Sequence, residues 1–140
     1  MRFMIIVRST PKFEAELSPE TADEALMAAM ADYHEQLAQA GVLLDASGLQ
    51  PSRTGWRIHY EGTTRTVVDG PFTETKELIA GYTLIQVRSR EEALEWSRRF
   101  PNPVGEGQPA VVEVRQLYEL EDFSDSQAIQ RFKELGVGGA

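Results

Sequence analysis

Between Phe3 and Tyr118 strand-like and amphipathic helical runs follow one another in an order that few folds accommodate. The run "FMIIVR" is short and β-branched and is followed by "STPKFEAELSPE", which is rich in turn and cap residues, so a strand and a loop are expected. Ala22, Leu26, Met30, Tyr33 and Leu37 then recur at helical spacing, with Gly41 as a stop. Ser18 with Pro19 is one candidate start for this helix, and a Thr21/Glu24 capping box is another. "VLLDASGLQP" reads as a second strand, and "WRIHYEGTTRTVVDG" as two strands turning at Glu61-Gly62-Thr63. "LIAGYTLIQV" is a strand whose composition suits burial on both faces. Ser89 with Glu92 opens a second helix through Ala93, Trp96 and Phe100, ended by Pro101. "AVVEVRQLY" closes the core.

The order strand, helix, strand, hairpin, strand, helix, strand predicts an α+β fold, a ferredoxin-like βαββαβ sandwich with a hairpin extension. Two helices cover one face of such a sheet. The first strand nevertheless alternates Phe3, Ile5 and Val7 with Met4 and Ile6, so both faces require cover. A second copy stacked sheet on sheet would supply it, and a homodimer is expected. The domain is expected to span residues 1–120. Residues 121–140 form a separate segment, with an amphipathic helix marked by Ile129, Phe132 and Leu135 and a flexible "GVGGA" end. That segment either docks a partner protein or packs across the second copy.

Composition narrows the function. Lys and Arg total 14 against 22 Asp and Glu, a net charge of −8, and no basic run could neutralise a row of phosphates. Direct nucleic-acid or membrane-surface partners are therefore not expected. With no cysteine, thiolate chemistry and Cys-ligated zinc are excluded. His34 and His59 lie 25 residues apart with no HxxxH pair, so no metal site is expected. There is no G-x-S-x-G, and "GEG" at 105–107 precedes a strand rather than a helix, so neither a serine hydrolase nor a dinucleotide fold is indicated. The opening residues carry only four successive apolar side chains, Met4–Val7, and a cytoplasmic location is expected.

Three groups of residues carry chemistry. His34 falls at the border of the first helix's apolar stripe, where it could act as an acid or base, with Asp45 on the following strand as its nearest carboxylate. Arg8, Glu113 and Arg115 alternate onto the sheet face away from the helices, where they either pair with one another or bind a ligand. The nine residues "DGPFTETKE", Asp69 to Glu77, hold four ionisable side chains between two buried strands. Phe72 is placed to anchor this turn in the core, and the Asp69 carboxylate to close it.

That stretch, with "GYTLIQV", "EEALEWSRRFP" and "VEVRQL", resembles the DGPF family of bacterial proteins, a branch of the YCII-related domain, over residues 1–120. The resemblance implies a dimeric α/β barrel. It also implies a histidine–aspartate pair in the cleft, and with these residues acid–base chemistry on a small polar metabolite in a dimer cleft, without a tightly bound cofactor, is expected. His34 matches the helix histidine, and Asp45 or Asp69 the carboxylate. Asp69, Gly70, Pro71, Phe72, Glu74, Lys76 and Glu77 match the signature, with Asp69 at the cleft mouth and Glu74, Lys76 and Glu77 on its rim. Glu113 and Arg115 match the closing strand. Members are often encoded beside extracytoplasmic-function sigma factors, which implies the alternative of a regulatory partner.

Overall fold

The computed structural model describes residues 1–15 and 23–139. Among these residues six strands and four α-helices follow in the order β1 (Arg2–Arg8), α1 (Pro11–Glu14), α2 (Glu24–Gln39), β2 (Leu43–Gly48), β3 (Trp56–Glu61), β4 (Thr64–Asp69), β5 (Ile79–Gln86), α3 (Arg90–Arg98), β6 (Val112–Gln116) and α4 (Gln127–Leu135). β2, β5, β1 and β6 form one antiparallel sheet in that order, and β3 pairs with β4 in a sheet of their own. This is the ferredoxin-like α+β arrangement, with the hairpin inserted between its second and third strands.

Local signals explain the helices. Thr10 caps α1, accepting from the Phe13 amide at 3.1 Å, with Pro11 in the first turn, so a single helical turn forms where a loop was expected. Ser18, Pro19 and Thr21, the expected start of the long helix, lie outside the described residues. The described α2 begins at Glu24 with Asp23 as its cap, the carboxylate accepting from the amides of Ala25 (2.9 Å) and Leu26 (3.4 Å). It ends where Gly41 takes φ +75, a left-handed conformation that costs glycine little. At α3, Ser89 accepts from the Glu92 amide at 3.1 Å, while Glu92 reaches back to the Arg88 amide at 3.0 Å.

The core lies between the sheet and the helices α2 and α3. Phe3, Ile5, Ile85 and Val87 from the sheet side meet Tyr33, Leu37 and Ala93, with Trp96, Phe100, Val112 and Val114 at the edge. On the other face Met4, Ile6, Tyr82 and Leu84 are half-buried within one chain, so β5 is buried on its helix face only. The hairpin has an exposed apolar face bearing Trp56, Ile58, Tyr60 and Val67, with Trp56 63% and Tyr60 66% exposed. A lone two-stranded hairpin is marginal in water, so this surface favours cover from elsewhere. Beyond β6, α4 is capped by Ser126 and keeps Phe132 and Leu135 exposed, and Gly138 lies against Leu120.

Tyr33 fixes the aromatic centre of the core. Its ring meets Phe100 edge-on at 5.1 Å and its hydroxyl donates to the Trp96 carbonyl at 2.7 Å. Burial pushes the phenol up to about 12, partly opposed by the Arg99 charge. The folded value lies above the ordinary one near ~10, so the neutral phenol's contribution is complete below about pH 10 and is lost as pH rises toward 12. Tyr33→Phe is expected to cost about 1 kcal/mol at neutral pH. Urea melts between neutral pH and pH 12 should also show a shallower alkaline loss in the variant; equal alkaline loss in both proteins would contradict this role.

Candidate functional site

His34 sits one helical turn beyond Met30, and its Nδ1 lies 2.7 Å from the Met30 carbonyl oxygen. A carbonyl only accepts, so Nδ1 carries a proton. Nε2 is 2.7 Å from Thr83 Oγ1 on β5, and in the neutral imidazole the threonine hydroxyl donates to it. The rings of Tyr33 and Phe100 meet the imidazole edge-on at 5.4 and 6.2 Å, and the histidine is half-buried. It faces a cleft of about 680 Å3 between α1, α2, the β2–β5 side of the sheet and the loop after α3. Phe13, Leu26, Met27, Met30, Phe100 and Val104 supply apolar walls, while the exposed Lys12 and Asp23 stand among the lining residues nearer solvent.

Neither expected aspartate reaches His34. Asp45 would share the helix-facing side of β2 with Leu43 if alternation were unbroken. A bulge at Leu44 breaks it: Leu43 pairs with Ile85 but Asp45 with Leu84, so Asp45 turns to the opposite face and accepts from the Tyr82 hydroxyl at 2.8 Å. Asp69 is exposed at the end of β4, opposite Trp56. The orienting acceptor beside His34 is the Met30 carbonyl instead. Among the described residues no three His, Asp or Glu side chains converge as metal ligands.

The open sheet face holds the second expected group. Arg8 Nη2 contacts Glu113 Oε1 at 2.5 Å, Arg115 Nη1 contacts Glu113 Oε2 at 3.3 Å, and Arg8 Nη1 donates to the Lys76 carbonyl at 2.5 Å. These charges therefore pair with one another, and Lys76 takes part through its backbone alone. The Arg8 hydrogen bond, followed by that of Arg115, holds the Glu113 carboxyl below the usual carboxylate range. A depressed folded value means that this contribution is present above the unfolded carboxylate value and is lost as pH falls through the folded one. Arg8→Met should move the Glu113 titration upward, read from the side-chain carboxyl carbon by NMR. An unchanged midpoint would show that Arg8 is not the cause.

The "DGPF" turn is built on Ser52. The Phe72 amide donates to Ser52 Oγ at 3.0 Å and the Gly70 amide to the Gly55 carbonyl at 2.9 Å. A Cβ on Gly70 would stand 1.9 Å from the Ser52 carbonyl oxygen, so only glycine fits. The Gly70–Pro71 peptide is cis. Phe72 is half-buried beneath the Arg57 guanidinium, 3.9 Å from the ring centroid, rather than in the core. Ser52, not Asp69, closes the turn. Asp69, Glu74, Lys76 and Glu77 are exposed, and within one chain none of them lines the His34 cleft.

A family model, the YCII-related domain, matches residues 1–121. The chain belongs to the YCII-related family. The DGPF signature is another name for the same family, so its resemblance and the family match agree. Among individual proteins, an uncharacterised protein of Rhizobium meliloti (strain 1021) is 32% identical over 80 residues, 57% of this chain and 64% of the relative's length. A solved 5-chloro-2-hydroxyhydroquinone dehydrochlorinase from Burkholderia phenoliruptrix AC1100, in complex with 2,5-dihydroxybenzoquinone, aligns over 89% of this chain and all of its own, at a TM-score of 0.43 and 13% identity. Likeness at that level says nothing about the ligand of this chain.

Two residues of this YCII-related domain that matter locally carry no strong sequence signal. Ser52 and Glu14 meet across 38 residues, the carboxylate accepting from the Ser52 amide at 2.8 Å and from its hydroxyl. The Thr10-Pro11 pair, a helix-start signal, is what could have drawn attention to the turn carrying Glu14. No helix among the described residues is long and apolar enough to cross a membrane.

Proposed function

We propose that this YCII-related protein binds a small molecule in the His34 cleft and exchanges a proton with it. The observation that carries this reading is a half-buried imidazole, held at Nδ1 by a backbone carbonyl, at the edge of a cleft with largely apolar walls. With Nδ1 protonated, Nε2 is the basic atom. A ligand hydroxyl or acidic C–H that displaces the Thr83 hydroxyl would give its proton to Nε2, and the imidazolium, stabilised by the Met30 carbonyl, would return it. The walls favour an apolar body carrying one polar group over the small polar metabolite expected from the sequence.

A melting-shift screen of small phenols, enols and keto acids against the native protein and His34→Gln tests this. A ligand at about 100 times its Kd stabilises by about 2.7 kcal/mol, so a hit should raise Tm by several degrees in the native protein and much less in the variant. Equal shifts in both would place binding elsewhere.

We propose further that two copies associate through the open sheet face. Half-buried Met4, Ile6, Tyr82 and Leu84 support this, as does the exposed apolar face of the hairpin. Light scattering at micromolar concentration should give twice the 15.7 kDa chain mass. A single-chain mass would remove the dimer.

A further inference from the structure

The family signature stands away from the cleft, yet it is joined to one of the cleft walls. The Phe72 amide donates to Ser52 Oγ (3.0 Å), and the close approach of Gly70 to the Ser52 carbonyl holds that residue against the turn. Ser52 in turn grips Glu14: its amide donates to Oε2 at 2.8 Å and its hydroxyl donates to Oε1. The Arg53 guanidinium adds a bond to the Glu14 carbonyl at 3.2 Å. Glu14 ends α1, the single turn that presents Lys12 and Phe13 to the cleft. A four-residue helix cannot hold its own position, because one turn has too few internal hydrogen bonds to offset its ordering entropy. Its place is therefore set by its ends, and the C-terminal end is held by Ser52.

We infer that Ser52 and Glu14 are positioning residues, through which the signature turn sets the wall of the His34 cleft. This role rests on the cleft being the binding site. It explains a charged, glycine-requiring turn remote from His34 without giving its carboxylates any part in the chemistry. The half-buried Glu14 carboxylate is the link, since charge-assisted hydrogen bonds from an amide and a hydroxyl fix its direction.

The four methionines allow a test that separates this role from general stability. Met27 and Met30 line the cleft, whereas Met1 and Met4 do not. In protein labelled with 13C at the methionine methyls, Ser52→Ala and Glu14→Ala should shift or broaden Met27 and Met30 and leave Met4 in place. Ser52→Thr, which keeps the hydroxyl, should restore the native spectrum. Native Met27 and Met30 signals in both alanine variants would overturn the inference whether or not any ligand binds. Movement of Met4 together with the cleft pair would overturn it as well, by showing a general structural effect.

Anilinonaphthalene sulfonate, an aromatic anion suited to apolar walls beside Lys12, then reports on binding. It should perturb Met27 and Met30 of the native protein, and Ser52→Ala should weaken that titration about tenfold, the lower end of the scale for one hydrogen bond lost from a charged group. Unchanged affinity in Ser52→Ala would contradict the positioning role while leaving the cleft as a binding site. A native protein whose cleft methyls ignore the probe would instead count against the cleft reading and against the ligand part of this inference.

Discussion

Leu37→Ala is expected to destabilise the protein by about 3–5 kcal/mol, the largest single effect foreseen. Leu37 is fully buried where α2 crosses the sheet, within the cluster of Phe3, Ile5 and Ile85. Its truncation removes apolar contact and leaves a cavity that a close-packed sheet cannot collapse to fill. For a chain of this size the loss should appear as a fall in Tm of roughly 10–17 °C. Leu94→Ala on the exposed side of α3 provides the contrast, since that residue is 49% exposed, and should change stability by no more than about 0.5 kcal/mol. A Leu37→Ala loss no larger than that of Leu94→Ala would mean that α2 does not dock as described.

Gly70→Ala is expected to cost about 2–3 kcal/mol for a different reason. The added methyl group would sit 1.9 Å from the Ser52 carbonyl oxygen and 2.7 Å from its carbonyl carbon, both backbone atoms without a rotamer to escape into. Ser52 must move, and the bonds joining it to Phe72 and Glu14 move with it. Gly48→Ala is the control: nothing lies within 4 Å of the new methyl, so stability should be close to native. Denaturant melts of the two variants should differ clearly. Similar melts would mean that glycine in the signature does not serve this close approach.

The element order was legible because helix and strand periods differ and because caps mark several helix ends. Tyr33 and Leu37 on one face of α2, the Gly41 stop and the Ser89 cap all follow from spacing. The face assignments of β1 and β6 followed from alternation, which placed Arg8, Glu113 and Arg115 together before any distance was available. Asp45 was singled out by its nearness in sequence to His34 alone, and a one-residue bulge in β2, which leaves no mark in the sequence, turns it to the opposite face. The role of the "DGPF" turn was hidden for another reason. Its partners, Ser52 and then Glu14, are remote in sequence and are ordinary polar residues in loop-like stretches. His34 was found by its helical position; its Met30 carbonyl and Thr83 partners needed the fold.

The most direct test of the account is the nitrogen spectrum of His34, in protein labelled with 15N at histidine, before and after adding a ligand found in the melting-shift screen. The free protein should show Nδ1 protonated toward the Met30 carbonyl, and the ligand should shift Nε2 as it replaces the Thr83 hydroxyl. A ligand that raises Tm while both His34 nitrogens stay at their free positions would contradict the claim that this cleft and this histidine form the functional site.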